Sequence, residues 1–442
     1  MTYHTPDRTP TIQFSLTPSS PSSPPPMANS GQKFDVIVVG AGVMGSAIAY
    51  QTSKRGLKTL LLEQFDFLHH RGSSHGESRT IRATYPEDYY PAMALEASRL
   101  WEEAEAEAGY KVYFRTKHLD FGPNDNKALL AVVDSCTKNS IPYRLLNPAE
   151  VLQEFAGLFR LPEDWIGVVT DEGGVIKPTK AVAMLQTLAL QNGAVLRDNA
   201  EVIEINRDGG TNEIVVSTAA GGEFRAGKCA ISAGPWTRRL VKKVKGLVLP
   251  IQPLETSVHY WKISKGHEFK FTIAAGFPTF ACYGVPYIYG TPSLEFPGLI
   301  KVPLHAGRLC EPEDRTWAAS PAATAALRDW IAARFGDAID AAAGSPAITQ
   351  SCMYSMTPDE DYVIDFLGGE FREDVVVCGG FSGHGFKMAP AVGRIVADMV
   401  GGGGGGDRTE DDFWLARFRA GRFHGECKGN EKLFEEQVKN SN

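Results

Sequence analysis

The first sustained apolar stretch of the chain is Phe34-Asp-Val-Ile-Val-Val-Gly40-Ala-Gly42-Val-Met-Gly45-Ser-Ala-Ile-Ala-Tyr50. Its opening residues are mostly apolar and rich in valine, which is typical of a strand buried on both faces of a parallel sheet. Three glycines with the spacing G-x-G-x-x-G follow, and then small and apolar residues that suit a helix. The stretch therefore predicts a strand, a tight turn and the start of a helix.

A second apolar run, Lys58-Thr-Leu-Leu-Leu-Glu63, completes a strand–helix–strand unit. In such a unit Gly40 permits the tight turn, Gly42 lets the backbone approach a pyrophosphate, and Gly45 lets the helix pack closely. The helix N-terminus attracts the phosphates, and the acid about 20 residues further on binds a ribose hydroxyl. The predicted dinucleotide contacts are Gly40, Gly42, Val43, Met44, Gly45 and Glu63. On its own, this unit is compatible with NAD as well as with FAD.

Composition and charge narrow the class of protein. The chain has 442 residues, of which 43% are hydrophobic and 22% charged, so it can form two domains with ordinary globular cores. Its net charge of −7 argues against nucleic acid as the main partner, and we expect no membrane span. The seven cysteines, at positions 136, 229, 282, 310, 352, 378 and 427, are dispersed without zinc spacing. We therefore expect no metal site and an intracellular, reducing compartment.

Both ends of the chain differ in composition from the rest. Residues 1–33 are rich in Ser, Thr and Pro, which predicts a disordered extension. This extension is poor in acids, so a transit peptide is one interpretation, and Met27 as an alternative start is another. Six glycines from Gly401 predict a flexible linker within the tail 401–442, and a short docking helix is expected near Trp414. The last residues form no Ser-Lys-Leu-type signal, which leaves cytoplasm and peroxisome both open.

The order of the segments predicts two domains that differ in secondary structure. Short β-like segments dominate from residue 251 and indicate an antiparallel sheet. A second strand and glycine turn, 374–387, precede a helix and favour the larger dinucleotide FAD. We therefore predict an α/β fold with a discontinuous Rossmann-like FAD-binding domain and an inserted α+β substrate domain built on an antiparallel sheet. The expected FAD-binding segments are 34–115, 170–250 and 346–400, and the expected substrate segments are 116–169 and 251–345.

Three further motifs resemble those of the monomeric sarcosine oxidase family, which includes N-methyl amino acid and L-pipecolate oxidases. They are Ser73-Ser-His75-Gly-Glu-Ser-Arg79-Thr-Ile-Arg82, Ser351-Cys352-Met-Tyr354-Ser-Met-Thr-Pro-Asp-Glu-Asp361, and Gly379-Gly-Phe-Ser-Gly-His-Gly-Phe-Lys387. The resemblance extends from about residue 34 to 399 and is greatest to plant members of the family. It implies a monomer that binds FAD.

The resemblance also implies how the flavin is held. In this family the flavin is attached through its 8α-methyl group to a cysteine, and the matching residue is Cys352. The cationic loop with His75 and Arg79 would favour the thiolate that such chemistry needs. Cys378 is the other candidate, but it lies in a strand-like run. The remaining cofactor contacts implied by the motifs are Ser74, Gly380, Gly383, Gly385 and Lys387.

Six residues match the substrate site of the family. Arg82, as a planar fork, and Lys387 would bind the substrate carboxylate. Lys301 would lie over the flavin and assist the reaction with O2, and His305 would face the substrate. If their strand is regular, Lys301 and His305 project to the same face. Tyr289 and Tyr354 would line the pocket.

The implied reaction is oxidation of a secondary amino acid to an imine, with O2 reduced to H2O2. The expected partners are therefore a small amino acid and O2. Sarcosine, a larger N-methyl amino acid and L-pipecolate all remain open as the substrate. The alternatives are a flavin dehydrogenase that uses another electron acceptor, an NAD-dependent enzyme, and a flavin-binding protein without catalytic activity.

Overall fold

The computed structural model describes residues 33–341, 344–401 and 409–423. The predicted disordered extension, apart from Lys33, lies outside the described residues. Most of the predicted glycine linker, the end of the tail and Cys427 lie outside them too.

The strands of the described residues belong to three sheets. In chain order they are β1 (Lys33–Val39), β2 (Thr59–Leu62), β3 (Arg79–Arg82), β4 (Tyr113–Pro123), β5 (Arg144–Leu146), β6 (Trp165–Ile176), β7 (Val195–Arg197), β8 (Val202–Arg207), β9 (Ile214–Thr218), β10 (Glu223–Ile231), β11 (Gln252–Lys262), β12 (Thr279–Cys282), β13 (Ile288–Gly290), β14 (Leu299–Lys301), β15 (Arg308–Leu309), β16 (Ile348–Met356), β17 (Val363–Phe366) and β18 (Val375–Gly379).

The α-helices lie between these strands and after them. They are α1 (Val43–Lys54), α2 (Tyr90–Ala108), α3 (Lys127–Lys138), α4 (Pro148–Glu154), α5 (Pro178–Gln191), α6 (Thr237–Lys245), α7 (Pro321–Phe335), α8 (Ala389–Val400) and α9 (Thr409–Phe418). Within the described residues, no helix is both long and apolar enough to cross a bilayer.

The first sheet is the predicted dinucleotide-binding layer. Its order is β17-β18-β10-β1-β2-β7, and β1 is parallel to both β2 and β10. Helix α1 packs against α5 and α8, and Gly393 of α8 allows this close approach because a Cβ atom there would lie 2.8 Å from Ala47. The junction of β1 and α1 is equally tight, since a Cβ atom at Gly45 would lie 1.8 Å from the carbonyl oxygen of Gly40. The predicted strand–turn–helix is therefore present, and its third glycine is required by packing.

Two more sheets form the other part of the molecule. One has the order β13-β12-β4-β6-β3, with β5 beside β6, and the other joins β14, β11, β15 and β16 in antiparallel pairs. A buried aromatic cluster that includes Phe121, Phe159, Phe280 and Phe335 fills the space beside α7. The predicted antiparallel sheet is thus present, and so is the predicted mixed α/β fold.

The strand pairing bears on the proposed domain limits. Strand β3 pairs with β6, strand β6 crosses the expected limit at residue 170, and β16 pairs with β11. We therefore propose to assign residues 79–82, 165–176 and 348–356 to the substrate domain and to keep the other expected segments. The sequence analysis assigns these strands to a domain by their position between the glycine motifs. In the structure, their domain is decided by pairing with strands that are distant in the chain.

Helix α9 is present where the sequence predicts a docking helix, and it packs against the start of α2. Trp414 is 3% exposed, and its indole Nε1 donates to the carbonyl oxygen of Tyr89 at 3.1 Å. The ring of Phe418 is fully buried against Tyr90 and Tyr362. The last described helix is therefore part of the folded core.

Replacement of Phe418 by alanine is expected to lower the free energy of unfolding by about 3–5 kcal/mol, because a buried ring is lost and a cavity remains. The matched control is Phe413→Ala on the same helix, where the side chain is 47% exposed. This control should change stability by no more than about 0.5 kcal/mol. Urea unfolding measures both, and equal effects would show that α9 does not dock through Phe418.

Candidate active site

A cavity of about 1010 Å³ lies at the carboxyl ends of β1, β2, β10 and β18 and reaches the other two sheets. Its volume is at the upper end of the range of about 300–1,000 Å³ that is usual for ligand pockets. In parallel α/β sheets, ligands bind outside the carboxyl ends of the strands. The position and size of the cavity therefore fit a large ligand.

The glycine turn forms one end of this cavity. Gly40 has a φ of +97°, a left-handed value that other residues rarely adopt. Ser74 accepts a hydrogen bond from the backbone N–H of Val43 at 3.0 Å and joins the His75 loop to the start of α1. Glu63 accepts from the backbone N–H of Ala41 at 2.8 Å, which fixes the acid beside the turn. The carboxylate has further lone pairs for a ribose hydroxyl.

Cys352 lies in β16, where it lines the cavity and is 6% exposed. The guanidinium Nη2 of Arg79 lies 3.6 Å from the Cys352 sulfur. Burial alone would raise the pKa of the thiol, but interaction with the His75 ring and the positive charge of Arg79 lower this pKa to about 6. The thiolate is therefore the main form at neutral pH.

His75 has a second property that points to a ligand. Its buried Nε2 has no hydrogen-bond partner among the described residues, although the ring acts on the Cys352 thiol.

Cys378, the other candidate for the flavin link, is fully buried in β18, and burial raises the pKa of its thiol. The reactive thiol at the cavity is therefore Cys352.

Two cations of the cavity lining, the partly exposed Arg82 and the buried Lys387, flank Tyr85. The guanidinium of Arg82 lies 4.5 Å from the centre of the Tyr85 ring, and Lys387 Nζ donates to the Tyr85 hydroxyl at 2.8 Å. Burial and the charge of Arg82 lower the pKa of Lys387. Among the described residues, neither cation forms an ion pair with a carboxylate within 4.0 Å. The site is therefore short of negative charge.

Lys301 and His305 line the same cavity beside Tyr289 and Tyr354. Lys301 is 2% exposed, and its Nζ donates to the carbonyl oxygen of Ser78 at 2.7 Å. Burial and the charge of Arg79 lower the pKa of Lys301. His305 Nδ1 lies 3.3 Å from the hydroxyl of Tyr354. The expectation of one regular strand through both residues is wrong, because β14 ends at Lys301.

Two tyrosines complete this side of the site. The hydroxyls of Tyr289 and Tyr354 lie 3.3 Å apart. Burial raises the pKa of both hydroxyls, so they stay protonated at neutral pH. They are therefore hydrogen-bond donors for whatever occupies the cavity.

The structure brings almost all the residues expected from sequence to one cavity. Gly45 is the exception, because it lies under the turn and does not line the space. The residues that do line it are Gly40, Gly42, Val43, Met44, Glu63, Ser74, His75, Arg79, Arg82, Tyr289, Lys301, His305, Cys352, Tyr354, Gly380, Gly383, Gly385 and Lys387.

Some cavity residues were not identified from sequence. Tyr85 connects Arg82 to Lys387, and His384 contacts the Tyr362 hydroxyl at 2.9 Å through Nδ1. His118 lines the cavity from β4. The signals available were the position of Tyr85 three residues after Arg82 and of His384 inside the second glycine turn. His118 has no such signal, because only strand pairing brings it to the site.

The class that these features define is a flavin-dependent oxidoreductase, with a dinucleotide turn, a thiolate and buried cations in one cavity. Residues 35–399 match the model of the FAD dependent oxidoreductase family, DAO, and the chain belongs to this family. The protein therefore uses FAD. The cradle at Gly40, the unpartnered nitrogen of His75 and the Cys352 thiolate fit that group.

Curated relatives agree with the resemblance seen in the motifs. The chain is 58% identical over 410 residues to a probable sarcosine oxidase of Arabidopsis thaliana, a match that covers 92% of this chain and 96% of the relative. It is 35% identical over 401 residues to a peroxisomal sarcosine oxidase of Homo sapiens, with 90% and 98% covered. The predicted membership of the sarcosine oxidase group is confirmed.

Solved structures confirm the fold. NikD, described as an unusual amino acid oxidase essential for nikkomycin biosynthesis, superposes in its open form with a TM-score of 0.74 at 25% identity. This match covers 86% of the present chain and 97% of NikD. An L-proline dehydrogenase from P. horikoshii gives the same TM-score of 0.74 at 21% identity, over 89% and 98% of the two chains, and shows the fold alone.

The thiol of Cys352 is expected to react with iodoacetamide at half its maximal rate near pH 6 in protein prepared without flavin. The reason is that the thiolate is the reacting form and its pKa is lowered to about 6, so the rate rises as pH increases through that value. Mass spectrometry of the alkylated peptide measures the rate.

Two comparisons make this measurement decisive. Arg79→Met should move the midpoint to higher pH, because the positive charge that favours the thiolate is lost. Cys229, whose pKa burial raises to about 12, should stay unmodified over the same range. A midpoint for Cys352 above about pH 8, near the ordinary value of a free thiol, would contradict the role of Arg79 and His75 in holding the thiolate.

Proposed function

We propose that this protein oxidises a secondary amino acid to an imine, with FAD as cofactor and O2 as electron acceptor. The observation that carries the proposal is that Arg82 and the buried Lys387 both face the cavity with no carboxylate of the described residues within 4.0 Å of either cation. The names of the sarcosine oxidase relatives support the same class of substrate.

The substrate carboxylate is the missing negative charge. Arg82 presents a planar fork that matches a carboxylate, and Lys387 adds a second donor. Because burial and Arg82 lower the pKa of Lys387, an arriving carboxylate raises it and keeps the ammonium form. Binding of the substrate carboxylate therefore also balances the positive charge of these two residues. The same contacts orient the rest of the substrate.

The amine end then lies toward His305, Tyr289 and Tyr354. The two hydroxyls remain protonated and donate hydrogen bonds, and His305 is held by Tyr354. The substrate amine reacts in its neutral form, so it loses a proton before oxidation. FAD, when bound, accepts two electrons from the C–N unit and passes them to O2.

Lys301 is proposed as the group that assists oxygen. Its ammonium is buried and held by Ser78, and its pKa is lowered by burial and by Arg79. A negative charge that forms near Nζ therefore favours the ammonium form of Lys301. The ammonium in turn stabilises that negative charge. With sarcosine, water and O2, the products are glycine, formaldehyde and H2O2.

We also propose that the flavin is attached through Cys352, and that the protein is a monomer. The thiolate of Cys352 is available at neutral pH for the link, and the relatives that support a monomer include proteins named monomeric sarcosine oxidase.

The proposed compartment is the cytoplasm or the peroxisome, since relatives from human and mouse are named peroxisomal. The remaining FAD contacts are proposed at the two glycine turns and the Ser74–Arg79 loop.

Anaerobic mixing with sarcosine, an N-methyl amino acid or L-pipecolate is expected to bleach the flavin absorbance. Mixing with O2 afterwards should restore the absorbance and release one H2O2 for each turnover. Absence of bleaching with every secondary amino acid would disprove the proposed reaction. Bleaching followed by sluggish reoxidation would instead indicate a dehydrogenase with another electron acceptor.

The same experiment tests the oxygen group. Lys301→Met should slow reoxidation by about 100-fold or more, because a buried charge at the reacting oxygen is lost. Lys262→Met is the matched control, since Lys262 lies exposed in β11 opposite Leu299 of the same strand as Lys301. Equal reoxidation rates in the two variants would remove Lys301 from this role.

The covalent link predicts that acid-precipitated protein stays yellow. Cys352→Ala should release the flavin on precipitation, whereas Cys378→Ala should retain it because that thiol lies inside β18. Absorbance of the washed pellet and the supernatant measures the result. Complete loss of flavin from the wild-type pellet would exclude attachment through Cys352.

A further inference from the structure

A buried acid lies beside the carboxylate site and takes no part in the proposed reaction. Asp120 is fully buried in β4, and its Oδ1 lies 3.0 Å from His118 Nε2. Its other oxygen, Oδ2, has no hydrogen-bond partner among the described residues. A buried carboxylate of this kind needs a nearby positive charge, because its loss of hydration is otherwise uncompensated.

The pairing of three strands brings that charge to Asp120. Arg82 of β3 lies directly opposite Gly173 of β6, and a Cβ atom on Gly173 would lie 2.8 Å from His118 Cβ. Directly opposed residues project to the same face, and so do His118 and Asp120, which are two residues apart. The absent side chain of Gly173 therefore leaves space for His118 and Asp120 on the face from which Arg82 projects.

Hydrogen bonding fixes the form of the His118–Asp120 pair. Burial lowers the pKa of His118, so its ring is neutral. Burial alone would raise the pKa of Asp120, but His118 and the charge of Arg82 lower it, so the acid is ionised. His118 Nε2–H therefore donates to Asp120, and His118 Nδ1 accepts from the Thr279 hydroxyl, whose oxygen is 2.8 Å from this nitrogen.

Thr84 provides a polar connection between the acid and the guanidinium. Its hydroxyl accepts a long hydrogen bond of 3.5 Å from Arg82 Nη1, and it also acts on Asp120 to lower the pKa of that acid. The other groups that act most strongly on Arg82 are Tyr85, Tyr283 and Tyr287. Burial raises the pKa of each of these hydroxyls, so none of the three is an anion at neutral pH.

We propose that Asp120, aligned by His118, is the internal counter-charge of Arg82 and positions its guanidinium for the substrate carboxylate. This inference rests on the proposed function and adds one positioning residue to it. With Asp120 ionised, the cations Arg82 and Lys387 face two negative charges, one from the protein and one from the substrate. The carboxylate site is then electrically balanced when the substrate is bound.

Asp120→Asn is the direct test in the holoenzyme, because asparagine still accepts the hydrogen bond from His118 but carries no charge. The KM for sarcosine should rise about tenfold or more, while kcat changes less than about threefold, since the variant loses binding of the carboxylate rather than the redox step. Asp134→Asn, an exposed position on α3, is the matched control and should leave KM unchanged.

Ligands without an oxidisable amine separate positioning from general damage. Propionate binding, followed by the change in flavin absorbance, should weaken at least about tenfold in Asp120→Asn, whereas propionamide binding should not change. In an Arg82→Met background, Asp120→Asn should have no further effect on propionate. If Asp120→Asn loses its flavin, Thr84→Val decides in the same way, because it breaks the connection and leaves the acid in place.

The inference is overturned if Asp120→Asn keeps a wild-type KM, or if propionate and propionamide weaken equally. It is also overturned if the effect persists without Arg82. Failure of the proposed function is a different result, because the wild-type protein would then oxidise no secondary amino acid at all. A wild-type enzyme that turns over sarcosine beside an unaffected Asp120→Asn variant contradicts this inference alone.

Discussion

The concentration of positive charge in one cavity is the main physical constraint on this protein. Arg79, Arg82, Lys301 and Lys387 all face the same space, and burial lowers the pKa of the two lysines. Each cation needs an anion that the cavity must contain or receive. The Cys352 thiolate is one such anion before the proposed flavin link forms, Asp120 is the proposed counter-charge of Arg82, and the carboxylate of the proposed substrate is a third. The two glycine turns and the three sheets hold these charged groups at fixed distances from one another. The proposed sites for the cofactor and for the substrate therefore each have their own set of charged groups.

Sequence reasoning succeeds where the determining contacts are local. The turn at Gly40, Gly42 and Gly45 is encoded within a few residues, because the strand, the helix and the glycines are consecutive. The motif around Cys352 also carries its meaning in one segment, although its thiolate character depends on Arg79, far away in the chain. These local motifs therefore predict residues that do line the cavity, and they predict the α/β fold as well.

Sequence reasoning fails where pairing between distant strands decides the outcome. Strand β3 is expected from sequence in the dinucleotide domain, yet it pairs with β6, and this pair places Arg82 beside His118. Nothing in the local pattern of β4 distinguishes His118 and Asp120 from ordinary strand residues. The end of β14 at Lys301 is a second example, since an alternating pattern through His305 does not reveal that the chain leaves the sheet. Tyr85 is a third, because its contacts with Arg82 and Lys387 join residues about three hundred positions apart.

The docking of α9 has a consequence for the order in which the protein matures. A chain emerges from the ribosome with its amino-terminal end first, so the turn at Gly40 appears early. Cys352, the turn at Gly383 and the ring of Phe418 that supports Tyr90 and Tyr362 all appear in the last quarter of synthesis. On the proposed placement of FAD, the contacts for its adenosine half are thus synthesised well before those for its flavin half. On the proposed placement of FAD, the complete cofactor site therefore forms only after β16 and the second glycine turn have been synthesised and have folded onto the first sheet.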